Sequence, residues 1–210
     1  MSSESGDRVY GQRLVADRLA ERRARFLDAA LEVFCRRGYR ESSITDICKA
    51  AGLSRRQFYE LFSNSESVLL ELYDGIQQRA QVAIVEAVAK MPDADIRDTV
   101  SGAMGAYARA IGADPRYARI AFVEIVGVNP RIEEHRDRTR SQWIELARNL
   151  IEPRMAVGTT PLGGYQLAIS AFIGAANTVI HDWAIAPDRP DLAEVMVVLD
   201  AILAALVLGA

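Results

Sequence analysis

Residues 43–62 read SITDICKAAGLSRRQFYELF. Apolar residues return at helical spacing on both sides of Gly52: Ile44, Ile47 and Ala51 before it, Leu53, Phe58 and Leu61 or Phe62 after it. Two serines begin the two halves. Ser43 has Asp46 three residues on and Ser54 has Gln57, so each pair has the form of a capping box. A short helix, a glycine turn and a second short helix are the layout of a helix-turn-helix. If the apolar set forms the small core that joins the two helices, Arg55, Arg56, Gln57 and Tyr59 are left facing outward at the start of the second. Arginine makes bidentate contacts to guanine, glutamine pairs with adenine, and serine or tyrosine anchors a phosphate.

Working outward, the spacing predicts helices over 44–51, 55–61 and 64–89, the last capped by Ser63 with Glu66. Upstream, Leu27, Ala30, Leu31 and Phe34 repeat at helical spacing from about Asp17 to Arg37, and Gly38 closes that helix. Residues 1–17 carry Ser, Gly, Asp and Arg with little periodicity and read as a flexible arm. Downstream, Asp93 or Asp95 caps a helix to about Ile111. Asp114-Pro115 and Asn129-Pro130 place a cap and a proline before two more, the second running to about Met155. Thr160-Pro161 opens one to about Ala186, and the last runs from Pro190 to Leu208. The strand signature of alternating β-branched and aromatic residues is almost absent. The fold class is therefore all-α, with about nine helices: an arm over 1–17, a helix-turn-helix domain over 18–63 and a larger helical domain over 64–210.

Charge divides the chain in the same way. Residues 1–62 hold 12 Lys/Arg and 9 Asp/Glu, a net of +3, while the rest holds 13 and 19, a net of -6. The head is the better site for a polyanion and the body a poor one. The polar N-terminus has no signal-peptide core. The longest apolar run, Val195 to Leu208, is broken by Asp200 and is shorter than the roughly 20 residues that span a bilayer. A cytoplasmic protein without a membrane partner is expected. Cys35 and Cys48 lack the spacing of a zinc site and read as reduced thiols, and neither a metal nor a cofactor is expected.

This pattern resembles the TetR family of bacterial transcription regulators. The resemblance rests on Phe34 and Gly38-Tyr39, then Ser43-Ile44-Thr45-Asp46-Ile47, Ala50-Ala51-Gly52-Leu53-Ser54, Phe58-Tyr59, Phe62, Ser65-Glu66 and Val68-Leu69, across residues 20–75. It implies a three-helix DNA-binding domain whose third helix enters the major groove of an operator. It also implies a homodimer built by the last two helices and a small-molecule effector held in the helical body. By position, Ser43 and Thr45 match phosphate contacts, Arg55, Arg56 and Gln57 match base-reading positions, and Tyr59 matches an aromatic phosphate contact; Ser54 starts the recognition helix. Two positions depart from the pattern. Ser65 stands where many members carry a phosphate-binding lysine, and Leu61 where many carry a histidine.

Rival readings stand beside these. Gln57 has two jobs open to it, reading a base or closing the Ser54 capping box. Tyr59 is a phosphate contact or plain core. Arg13, Arg18, Arg22 and Arg23 form a minor-groove arm or a solvated face. In the body, Tyr107, Phe122, Trp143 and Phe172 are core or pocket lining. Asn177 and His181, spaced i, i+4, are ligand anchors or a polar pair at a dimer interface. Small residues from Ala168 to Ala176 and the face Val195, Leu199, Ile202, Leu203 and Leu206 are assigned to that interface. The expected protein is a ligand-responsive regulator, a repressor released from a palindromic operator by a small apolar effector, and not an enzyme. The alternative is a helical small-molecule carrier or enzyme with an incidental helix-turn-helix. With only His135 and His181 as histidines and no phosphate-cradling glycine loop, the sequence offers that alternative little.

Overall fold

No proline precedes Pro92, and residues 12–37 are dense in Arg, Ala, Leu and Glu, all strong helix formers. The result in the computed structural model is one long helix, α1 (Glu4–Arg37). The structure describes the backbone of residues 4–209 and the side chains of residues 16–209. Part of the expected arm thus lies outside the described residues, and from Glu4 onward its backbone is helical, because nothing after Gly11 opposes propagation. Gly38, at φ 84°, ends the helix by donating its N–H to the Phe34 carbonyl at 2.9 Å.

α2 (Ile44–Ala51) and α3 (Arg55–Tyr59) follow, each opened by the expected capping box. Gly52 joins them. Its φ of 63° lies in the left-handed region, and its N–H donates to the Cys48 and Lys49 carbonyls, so the exposed end of α2 is satisfied within the turn. α4 (Ser65–Ala89) starts one residue later than its Ser63 cap predicts. Asn64 is the cap: its Oδ1 accepts the Ser67 N–H at 2.8 Å. Asparagine is among the best N-cap residues, so it takes the position next to Ser63.

The chain divides into two compact units, Met1–Leu72 and Tyr73–Ala210, with the division inside α4 and nine residues beyond the expected boundary. In the first unit the core is a cluster of rings. Phe26, Phe34 and Phe58 are fully buried and Phe62 nearly so. Phe26 meets Phe58 edge-on at 5.4 Å, and Phe58 lies 5.4 Å from Phe62. Ile47, Val68 and Leu69 are buried with them. Of the apolar set expected to hold the turn, Phe62 is buried and Leu61 is not, while Ile44 and Leu53 are half-buried.

The second unit holds α5 (Ile96–Gly112), α6 (Pro115–Arg119), α7 (Pro130–Ile151), α8 (Gly164–Ile185) and α9 (Leu192–Leu208). α5 packs on α9 and α6, and α8 packs on α9, α7 and α6. Asp95, Asp114, Asn129 and Asp191 cap α5, α6, α7 and α9 with side-chain oxygens. Two details depart from the sequence pattern. α6 runs into a π turn at Ile120–Glu124, closed by an Ile125 N–H to Ile120 carbonyl bond at 3.3 Å. α8 begins at Gly164 rather than at Thr160-Pro161, because Gly163 and Gly164 both take positive φ, 72° and 82°, and delay the first helical turn. Among the described residues every regular element is helical, and no helix is long and apolar enough to cross a membrane.

Candidate nucleic-acid interface and effector cavity

α3 is held from below and open from above. Phe58 fixes it to the ring cluster with no exposed surface, and its other residues stay half or fully accessible. Arg55 and Arg56 stand in its first turn, and the Arg56 side chain is 91% exposed. Arg56 makes only a loose ion pair with Glu60 at 3.5 Å, and Arg55 reaches the Tyr59 hydroxyl at 3.5 Å. Contacts this long and this exposed are weak, so both guanidinium groups are available to another partner. Tyr59 is 51% exposed while its ring edge rests on Phe58 at 5.6 Å, so it is a surface residue and not core.

The caps put their polar atoms on the exposed rim of the head. Ser43 Oγ accepts the Asp46 N–H at 3.2 Å and donates to the Asp46 carboxylate at 2.6 Å. Arg37 closes on the other carboxylate oxygen at 2.8 Å. Hydrogen bonds from Ser43, then the nearby Arg37 charge, hold the Asp46 carboxyl below its ordinary range. Thr45 is exposed beside them. At α3, Gln57 Oε1 accepts from the Ser54 N–H at 2.9 Å and from the Ser54 hydroxyl at 3.0 Å. Gln57 is therefore engaged as a cap. Ser43, Thr45, Ser54, Arg55, Arg56 and Tyr59 are all exposed and Gln57 half so.

Two arginines assigned to a possible minor-groove arm are used inside the head instead. Arg22 pairs with Glu60 at 3.2 Å. Arg23 pairs with Glu71 at 2.7 Å and lies 4.8 Å above the Phe62 ring. Arg13 lies outside the residues whose side chains are described. Phe26 was absent from the helix face read from the sequence, although it is the ring that joins Phe58 to Phe62. Its position next to Leu27 hides it in a simple count of spacing.

The second unit encloses a cavity of about 240 Å³. Its wall includes Ile84, Val100, Met104, Leu150, Ile169 and Leu203. Five of the six sequence-nominated residues line it: Tyr107, Phe122, Trp143, Phe172 and Asn177. His181 does not. It sits one helical turn beyond Asn177, with Nδ1 3.1 Å from the Asp182 carboxylate. Trp143 is oriented by its indole N–H, which donates to Gln77 Oε1 at 2.8 Å, and its ring meets Tyr107 edge-on at 5.9 Å. Burial pushes the Tyr107 phenol well above the usual tyrosine range, so it stays a protonated donor. The π turn contributes Ala121 and Phe122 to the same wall. Sequence periodicity carries no signal for a π turn, nor for the polar stretch of α7 that supplies Glu133, Arg136, Asp137 and Arg140. No group of His, Cys, Asp and Glu among the described residues is placed to hold a metal ion.

A helix-turn-helix with free arginines on its second helix, in a chain whose other unit encloses an apolar cavity, defines the class of one-chain DNA-binding regulators. Residues 26–72 match the family described as bacterial regulatory proteins, tetR family. The chain is 29% identical over 178 residues to the HTH-type transcriptional regulator EthR of Mycolicibacterium smegmatis, covering 85% of this chain and 81% of that one. It is 32% identical over 130 residues to the HTH-type transcriptional activator FasR of the same organism, covering 61% and 56%. The fold matches that of the transcriptional regulator FadR from Bacillus subtilis, solved in complex with stearoyl-CoA, with a TM-score of 0.73 at 18% identity over 89% of this chain and 98% of that one. The chain is thus similar to DNA-binding transcriptional regulators, and its residues 26–72 match the tetR family. These relatives are regulators by name, which sets the enzyme alternative aside.

Proposed function

We propose that the protein is a repressor that binds a near-palindromic operator as a homodimer and leaves it when a small, largely apolar effector fills the cavity of the second unit. The observation that carries this reading is α3, anchored by Phe58 and presenting Arg55 and Arg56 without a tight partner. Arg55, Arg56 and Gln57 read bases, Gln57 after leaving its cap. Ser43, Thr45, Ser54 and Tyr59 hold phosphates, which fix register without reading sequence.

The dimer reading is supported by apolar surface left open on α8 and α9. Leu167 is 64% exposed and Val197 69%, with Ala171, Gly174, Val198, Ala201 and Ala205 also exposed. This revises the face read from the sequence, since Leu199 and Leu203 are buried within their own unit. The effector reading is supported by the cavity wall and by relatives whose names include a fatty acid metabolism regulator protein of Bacillus subtilis.

The test is footprinting on genomic fragments followed by titration of the protected site. Half-sites are expected about one helical turn, roughly 34 Å, or a multiple apart. Arg56→Ala should weaken operator binding by about 1–3 kcal/mol and relax base preference at one position per half-site. Unchanged affinity and unchanged preference would remove α3 from the groove.

A further inference from the structure

The cavity wall carries an accounting of charge that constrains what it admits. Two acids and two bases reach it, and they are already joined. Glu133 pairs with Arg136 at 2.6 Å and Asp137 with Arg140 at 2.8 Å. Two negative and two positive groups sum to zero. Each pair spans i, i+3 on α7, so each is built into one helix face. Each arginine meets its acid through one nitrogen, so a carboxylate or phosphate entering here shares a guanidinium with an acid already on it and lies beside that acid. A cation meets the mirror situation. Neither gains a charge partner that the wall was lacking, and either loses its hydration.

Most uncharged polar groups of the wall are committed too. Gln77 Oε1 takes the Trp143 indole N–H, and the Thr99 hydroxyl donates to the Asp95 carbonyl at 2.7 Å. Tyr73 bonds Thr139. Two groups differ. The Tyr107 hydroxyl and the Asn177 side-chain amide line the cavity and have no hydrogen-bond partner among the described residues. Tyr107 is enclosed by protein yet keeps accessible surface, because that surface is cavity wall. An enclosed hydroxyl left without a partner is costly, and a ligand that supplies one recovers that cost.

We infer that the effector is an uncharged amphiphile, an apolar body with one hydrogen-bonding but unionised head such as an alcohol, amide, ester or lactone, whose head is met by Tyr107 and Asn177. This rests on the reading of the cavity as the effector site and narrows it: carboxylates, coenzyme A thioesters and quaternary amines are selected against. Phe122 and Trp143 then contact the body, and the head is read by hydrogen bonding alone.

The experiment compares four ten-carbon probes on the full-length protein at pH 8 by calorimetry: decan-1-ol, decanamide, decanoate and decyltrimethylammonium. The two neutral probes are expected to bind about tenfold more tightly than either ion, the cost of leaving one charge without a new partner being at least that large. Tyr107→Phe should weaken both neutral probes about fivefold to tenfold, the worth of one hydrogen bond, with the helical circular-dichroism signal unchanged. Decanoate or the cation binding best, or all four binding alike, overturns the inference while leaving the cavity as the effector site. Neutral binding that is indifferent to Tyr107→Phe overturns the part given to Tyr107. No binding by any probe overturns the effector-site reading itself, and this inference with it.

Discussion

The head and the body solve opposite problems. The head must present a fixed set of groups, so its few buried rings serve to hold α3 in one pose while its polar atoms stay outside. The body lines a cavity with groups that are mostly paired within the protein, and the charges on that wall sum to zero. In the head, Arg56 is 91% exposed and only loosely paired. In the body, Arg136 and Arg140 are closed on carboxylates at 2.6 Å and 2.8 Å. The same side chain is left open in one region and is paired along a cavity wall in the other. What decides between these roles is whether a carboxylate sits three residues away on the same helix face.

The strongest way to break this contrast is to remove the ring that holds α3. Phe58→Ala deletes a fully buried side chain and should cost about 3–5 kcal/mol in denaturant unfolding. Both tryptophans, Trp143 and Trp183, belong to the second unit, so tryptophan fluorescence reports on that unit alone. Its transition should stay in place while the helical signal of the head is lost at lower denaturant. A shift of both together would end the description of two separately cored units. Next in size is the turn. Gly52→Ala forces a left-handed conformation on a residue with a Cβ, about 1–2 kcal/mol, and places that Cβ 3.4 Å from the Arg25 guanidinium. Operator affinity should fall with head stability, and full affinity at full stability would show the turn to be more tolerant than its φ implies.

Smaller changes sharpen the comparison. Ser54→Ala removes the hydroxyl that accepts the Gln57 N–H and donates to Gln57 Oε1, leaves the backbone N–H on that oxygen, and should cost about 1 kcal/mol of head stability. If Gln57 also reads a base, base preference at its position should hold or sharpen, because one of the two bonds on its Oε1 is gone, while overall affinity falls by the lost Ser54 phosphate contact. A loss of base preference at the Gln57 position would count against that second job. The smallest effect is at the rim. Asp46 has its folded-state pKa lowered from 3.8 by Ser43, so its contribution is present above pH 3.8 and is lost as the pH falls below that value. Carboxyl-detected titration by nuclear magnetic resonance should show Asp46 protonating below pH 3.8, and Ser43→Ala should raise its midpoint toward the ordinary range.

Much of the head was legible because its chemistry is local. Caps three residues apart, a glycine needing positive φ and rings at helical spacing all leave marks within a few positions. Even there, Asn64 displaced Ser63 as the cap of α4, since adjacent good caps are not ranked by pattern. The body was legible as helices and as a set of cavity-facing aromatics, but not as a cavity. Glu133, Arg136, Asp137 and Arg140 carry no mark of a cavity in the sequence, because which side of α7 borders one depends on what the helix packs against. His181 shares a helix face with Asn177 in sequence, yet the cavity stops one turn short of it.

The π turn at Ile120–Glu124 has a consequence for how this chain tolerates change in length. Arg119 and Glu124 form an ion pair at 2.9 Å across a five-residue interval, a spacing at which side chains on a regular α-helix point to different faces. The wide turn therefore stores one residue more than an α-helix needs. Deleting Ala121 would restore α-helical spacing, bring Arg119 and Glu124 to an i,i+4 spacing at which they can still pair, and turn Phe122 out of its place in the cavity wall. Single-residue deletions, tolerable in most surface loops, here amount to a change of what the cavity can hold.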